Sequence, residues 1–143
     1  MASDYQKRLQ ELPGATGFIR QRDGWWMAAP GLDVLDVAKC MSEFEGRLST
    51  ITAAVLPDGE TEVVYHYYLD HQALNFKVIT KKNVLQSISS ILPAADWIER
   101  EIQDLYRVVF TGHPHPDRLI RPAQFEPGLF REPGGQAGKN SRS

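Results

Sequence analysis

The chain has 143 residues, 42% of them hydrophobic and 24% charged, with a net charge of −2. That length suits one domain able to bury roughly two thirds of its unfolded surface. The balanced charge gives no reason to expect binding to nucleic acid, which needs a concentrated basic surface. The single cysteine, Cys40, excludes an internal disulfide, a four-thiolate iron–sulfur cluster and a four-thiolate zinc site, and fits a reducing compartment.

The opening MASDYQKRLQEL has no apolar stretch of the secretory kind. No run approaches the roughly 20 apolar residues needed to span a bilayer, so any attachment to a membrane is expected to come through other proteins.

In chain order, residues 4–12 suit a short helix with Leu9 and Leu12 on one side, stopped by Pro13-Gly14. Residues 24–29 suit a strand ended by Pro30-Gly31. Asp33 is a plausible N-cap, and Val34, Val37, Met41, Phe44 and Leu48 recur at three- and four-residue steps. That spacing predicts an amphipathic helix of about four turns, with Cys40 packed inside it.

Three strands are expected next. Residues 50–56 lead into the turn Pro57-Asp58-Gly59. Residues 62–69 place Val63, Tyr65, Tyr67 and Leu69 on one face, and Glu62, His66 and Tyr68 on the other. After Asp70-His71-Gln72, Leu74, Phe76 and Val78 face one way and Asn75 and Lys77 the other. Such alternation is that of a half-buried antiparallel meander.

A second helix is expected over 84–92, with Asn83 as cap and Pro93 as stop, and a third over 94–107 with Ile98, Ile102, Leu105 and Tyr106 inward. Val108-Val109 and Phe110-Thr111-Gly112 break it. The expected fold class is α+β, an antiparallel sheet with helices packed on one face. A single domain over 1–121 is followed by an extended or flexible C-terminal arm over 122–143, where proline, glycine, serine and charge dominate.

The stretch Ala95-Asp96-Trp97-Ile98-Glu99-Arg100-Glu101-Ile102-Gln103-Asp104-Leu105-Tyr106, followed by Phe110-Thr111-Gly112-His113-Pro114, carries the most information. It resembles the signature of the complex I 30 kDa subunit family, found in bacterial NADH–quinone oxidoreductase. That family includes a homologous subunit of energy-converting NiFe hydrogenases and formate hydrogenlyases. The matching positions are Trp97, Glu99, Arg100, Glu101, Asp104, Gly112, His113 and Pro114, and Glu62-Val63-Val64-Tyr65-His66-Tyr67 resembles the family's central strand. The resemblance runs over roughly residues 30–131, and a spaced multi-residue motif is far less common by chance than a short one.

Two departures shift the expected host toward a hydrogenase-type complex. Arg107 stands where the family usually has glycine, and the C-terminal basic and aromatic segment is reduced to Gly128-Leu129-Phe130-Arg131-Glu132. The resemblance implies a scaffold subunit without an active site or cofactor of its own, in the hydrophilic arm of a complex I-like membrane-associated oxidoreductase. It would dock on the large catalytic subunit, beside iron–sulfur subunits, on the cytoplasmic side. Iron–sulfur clusters, with NiFe, flavin or quinone, would belong to those partners. The residues implied in docking are Trp97, Glu99, Arg100, Glu101 and Asp104, with Gly112, His113 and Pro114 shaping the turn.

On a helical wheel Trp97, Arg100, Glu101 and Asp104 share one flank, and Glu99, Gln103 and Arg107 the other. Glu101 and Asp104 at i, i+3 could act as an acid–base pair, but a paired helix flank is the commoner use of such spacing. His113 and His115 with Asp117 could hold a metal in a stand-alone hydrolase, although two prolines stiffen so short a segment against a tetrahedral site. Trp25-Trp26 could serve a free-standing binding module, yet no basic residues interleave with them as base stacking requires. His66 is expected to be a hydrogen-bonded sheet histidine and His71 an exposed turn residue.

Overall fold

The computed structural model describes residues 4–113. Its elements are α1 (Asp4–Gln10), β1 (Ile19–Gln21), β2 (Gly24–Ala28), α2 (Val34–Glu43), β3 (Arg47–Val55), β4 (Thr61–Leu69), β5 (Gln72–Ile79), β6 (Val84–Gln86), α3 (Ala95–Tyr106) and β7 (Val109–Thr111). The architecture is α+β, as expected. A five-stranded sheet in the order β1-β2-β5-β4-β3 is antiparallel throughout except where β2 lies parallel to β5. Strands β6 and β7 form a separate two-stranded parallel pair.

The alternating residues of β4 and β5 build the core. Val63, Tyr65, Tyr67, Leu74, Phe76 and Val78 are buried in one cluster with Leu9 of α1, Val37 and Met41 of α2, and Ile102 of α3. Asp33 caps α2 through its side chain, which accepts the Leu35 amide hydrogen at 2.9 Å. Cys40 is buried on this helix, and burial pushes its thiol pKa up, in keeping with a packing role. The helix ends at Glu43, and Leu48 belongs to β3 rather than to a fourth helical turn.

The opposite sheet face is polar but not loose. His66 lies 3.0 Å from Thr52 Oγ1 and 2.7 Å from Asn75 Oδ1, and the Asn75 amide donates to the Trp25 carbonyl at 3.2 Å. A fully bonded ladder therefore crosses four strands, which accounts for the burial of Asn75. His71 is exposed at the hairpin tip.

One expected element is different. Residues 84–92 do not form a helix: 84–86 are strand β6, and turns carry the chain from there to α3. Asn83 is not a helix cap but the second residue of a tight turn, with φ of +55° at Lys82 and +60° at Asn83. Glu60 fixes that turn by accepting the Lys82 and Asn83 amide hydrogens at 2.8 and 3.1 Å. A left-handed pair feeds an extended segment rather than a helix.

Candidate functional site

The signature helix α3 buries its inward side through Ala95, Glu99 and Ile102. Glu99 is the unexpected member. The wheel set it on a surface flank, but it is 0% exposed. Its Oε1 accepts from Ser87 Oγ at 2.6 Å and its Oε2 accepts the Ile88 amide hydrogen at 2.8 Å. These bonds explain why 87–89 leaves the helical path. Ser87 and Ser89 face each other at 3.0 Å and Ile88 is buried, so tertiary bonding to one carboxylate outweighs local helical spacing.

Burial raises the Glu99 carboxyl pKa to about 7, the Ile88 amide and Ser87 hydroxyl act against the rise, and Asp96 adds to it. Tyr65 and Tyr67 of β4 lie within its electrostatic reach, and burial holds both phenols above their ordinary range. Neither phenol oxygen has a hydrogen-bond partner among the described residues.

Gly112 and His113 complete the cluster. Gly112 has φ of +77°, a conformation that favours glycine and turns the chain sharply after β7. The turn brings the His113 side chain, 1% exposed, inward to α3. Its Nε2 lies 3.2 Å from the Asp96 carbonyl oxygen, 3.2 Å from Asp96 Oδ1 and 3.6 Å from Glu99 Oε1. His113 thus faces the domain. His115 and Asp117, the other two residues of the expected metal turn, lie outside the described residues, as do Pro114 and the arm over 122–143. Among the described residues no group of three or more histidines, cysteines or carboxylates could hold a metal ion.

The remaining motif residues divide by exposure. Trp97 is 59% exposed, while Arg100 and Glu101 are partly so. Arg100 reaches back to Asp96 at 3.9 Å. Asp104 is buried, contrary to its expected place on an outer flank. Arg107 closes α3 in the left-handed conformation, φ +61° and ψ +24°, with its amide bonded to Gln103 O. The structure therefore assembles Glu99 and His113 into one buried cluster and leaves Trp97 outside it. Ser87, Ile88 and Asp96 are site residues that sequence reasoning missed. The polar–apolar–polar run Ser87-Ile88-Ser89 is the trace of the first two in the sequence.

The α+β fold is shared with chains of known structure. A chain of the membrane-bound sulfane sulfur reductase, an archaeal respiratory membrane complex, superposes with a TM-score of 0.64 at 26% identity, covering 81% of this chain and 75% of that one. A trypsin-resistant fragment of Nqo5 shares the fold with a TM-score of 0.60 at 20% identity, covering 71% and 89%. An NADH-quinone oxidoreductase subunit from Sinorhizobium medicae is 43% identical over 68 residues, which are 46% of this chain and 34% of that protein. The chain matches little more than a third of the length of such curated relatives. Residues 29–133 match the model of the family described as respiratory-chain NADH dehydrogenase, 30 Kd subunit, and the chain belongs to that family.

Proposed function

We propose that this chain is a scaffold subunit of a complex I-like membrane-associated oxidoreductase, docking on the large catalytic subunit and doing no chemistry of its own. The observation that carries this reading is Trp97, a large aromatic left 59% exposed on the helix bearing the family motif. Aromatic side chains in such positions are enriched among residues that anchor interfaces. Arg100 and Glu101 beside it supply charge for pairing across the contact, while Glu99, Asp104 and His113 act from within, holding the helix and the Gly112 turn in place.

The partners on this reading are the large subunit and neighbouring iron–sulfur subunits, which would carry the clusters and any NiFe, flavin or quinone. No described helix is long and apolar enough to cross a membrane, which fits peripheral attachment through the complex on its cytoplasmic side. The host is a respiratory NADH dehydrogenase or an energy-converting hydrogenase-type complex. Affinity purification from native membranes, with mass spectrometry of the retained proteins, tests the reading. Recovery of redox subunits with the tagged chain is expected, and a functional monomer without them would overturn it.

A further inference from the structure

We propose that Asp96, Glu99 and His113 form a proton-controlled clasp that ties the ends of β6 and β7 to α3, closed while Glu99 is protonated and loosened when it ionises. This goes beyond the scaffold reading and needs no partner.

The hydrogen bonds at Glu99 suit either protonation state, but the charges around it do not. When ionised, Glu99 accepts from the Ser87 hydroxyl and the Ile88 amide. When protonated, Oε1–H donates to Ser87 Oγ, and the Ser87 hydrogen turns to Ser89 Oγ, 3.0 Å away. The Ile88 amide donates to Oε2 in both states. The Asp96 carbonyl can only accept, so its 3.2 Å contact places a hydrogen on His113 Nε2.

The groups facing Glu99 come from four elements. From β4 come the phenols of Tyr65 and Tyr67; from the end of β6, neutral Ser87, Ser89 and the Ile88 amide; from its own helix, Asp96; and from beyond β7, His113. Arg100 is directed to Asp96, at the partly exposed rim. Among the described residues, His113 alone of these can offer ionised Glu99 a positive charge, and Asp96 opposes ionisation. A buried carboxylate so placed gains by admitting water. The elements that would yield are β6 and β7, three residues each, which stand apart from the main sheet as a two-stranded pair.

Amide hydrogen exchange of the full chain, free of partners and corrected for the intrinsic pH dependence of exchange, tests the clasp. Between pH 5.5 and 8.5 the Ile88, Ser89 and Thr111 amides should lose about 10-fold or more of their protection, while those of Tyr65 and Tyr67 keep theirs. Glu99→Gln, which can retain both contacts without ionising, should abolish the change. His113→Asn, whose side chain cannot carry a positive charge, should move its midpoint to higher pH. Equal protection of the wild-type amides at both pH values would overturn the proposal, whether or not either variant folds. So would an unaltered pH dependence in Glu99→Gln or an unmoved midpoint in His113→Asn.

Discussion

Ser87 Oγ stands 2.6 Å from Glu99 Oε1, so a residue of the signature helix fixes the course of the chain twelve positions earlier. The bond is short, as hydrogen bonds involving a charged or acidic carboxyl are. It makes Glu99 a structural centre of the motif and leaves surface contact to Trp97, Arg100 and Glu101.

Stability should therefore depend on pH in a definite direction. Burial raises the folded Glu99 carboxyl from 4.5 to about 7, so the folded chain holds a proton that the unfolded chain has released. The stabilisation is complete below about pH 4.5 and is lost as pH rises to about 7, amounting to about 3 kcal/mol at most. Urea denaturation at pH 5 and pH 8 measures it. Glu99→Gln should remove the difference, being the more stable form at pH 8.

Arg107 occupies a left-handed helix end, where a side chain carries a steric cost that glycine avoids. Arg107→Gly should be more stable than Arg107→Ala by about 1 kcal/mol. Comparing the two variants by thermal unfolding cancels whatever the arginine side chain itself contributes.

The β4–β5 hairpin turns through Asp70 and His71, both at positive φ (+54° and +63°), between the paired residues Leu69 and Gln72. Asn-Gly suits that two-residue turn better than Asp-His. The double substitution Asp70→Asn, His71→Gly should raise stability by about 1 kcal/mol. A lowered melting temperature would show that His71 contributes more than its backbone strain costs.

Trp97→Ala should separate folding from assembly. An exposed side chain contributes within about 0.5 kcal/mol to the isolated fold, whereas loss of an interface anchor weakens association by about 2 kcal/mol or more. Melting of the purified variant and its recovery in the native complex are the two measurements. Equal losses in both would make Trp97 a structural residue.

The meander was legible because a strand that faces a core on one side writes a two-residue period, and Val63, Tyr65, Tyr67, Leu74, Phe76 and Val78 keep it without a break. The Asp33 cap was legible for a similar local reason. Residues 84–92 were not, because a buried carboxylate from a distant helix decides their path, and Val84, Leu85, Ile88, Ile91 and Leu92 fit helical spacing by themselves. Strand β1 is only three exposed residues long, too short to carry a period. For the site, the motif marked the helix but not the direction of its side chains. A helical wheel ranks flanks by neighbouring side chains, and Glu99 is polar yet faces inward because the Ile88 amide and Ser87 hydroxyl await it there.

The parallel pairing of β2 with β5 sets Trp25 opposite Leu74, so the sheet is completed by a segment laid down long before its neighbour. Closing so large a loop costs entropy that the local hairpins do not incur. The β3–β4–β5 meander should consequently form first, and β1–β2 should dock onto it in a later step. In stopped-flow refolding of a Trp97→Phe chain, the fluorescence of Trp25 and Trp26 should lag behind the far-ultraviolet signal of the sheet. The amino-terminal hairpin is then the last part of the sheet to close and the first to open, and a protease acting on partly unfolded chains should cut there before it reaches the motif helix.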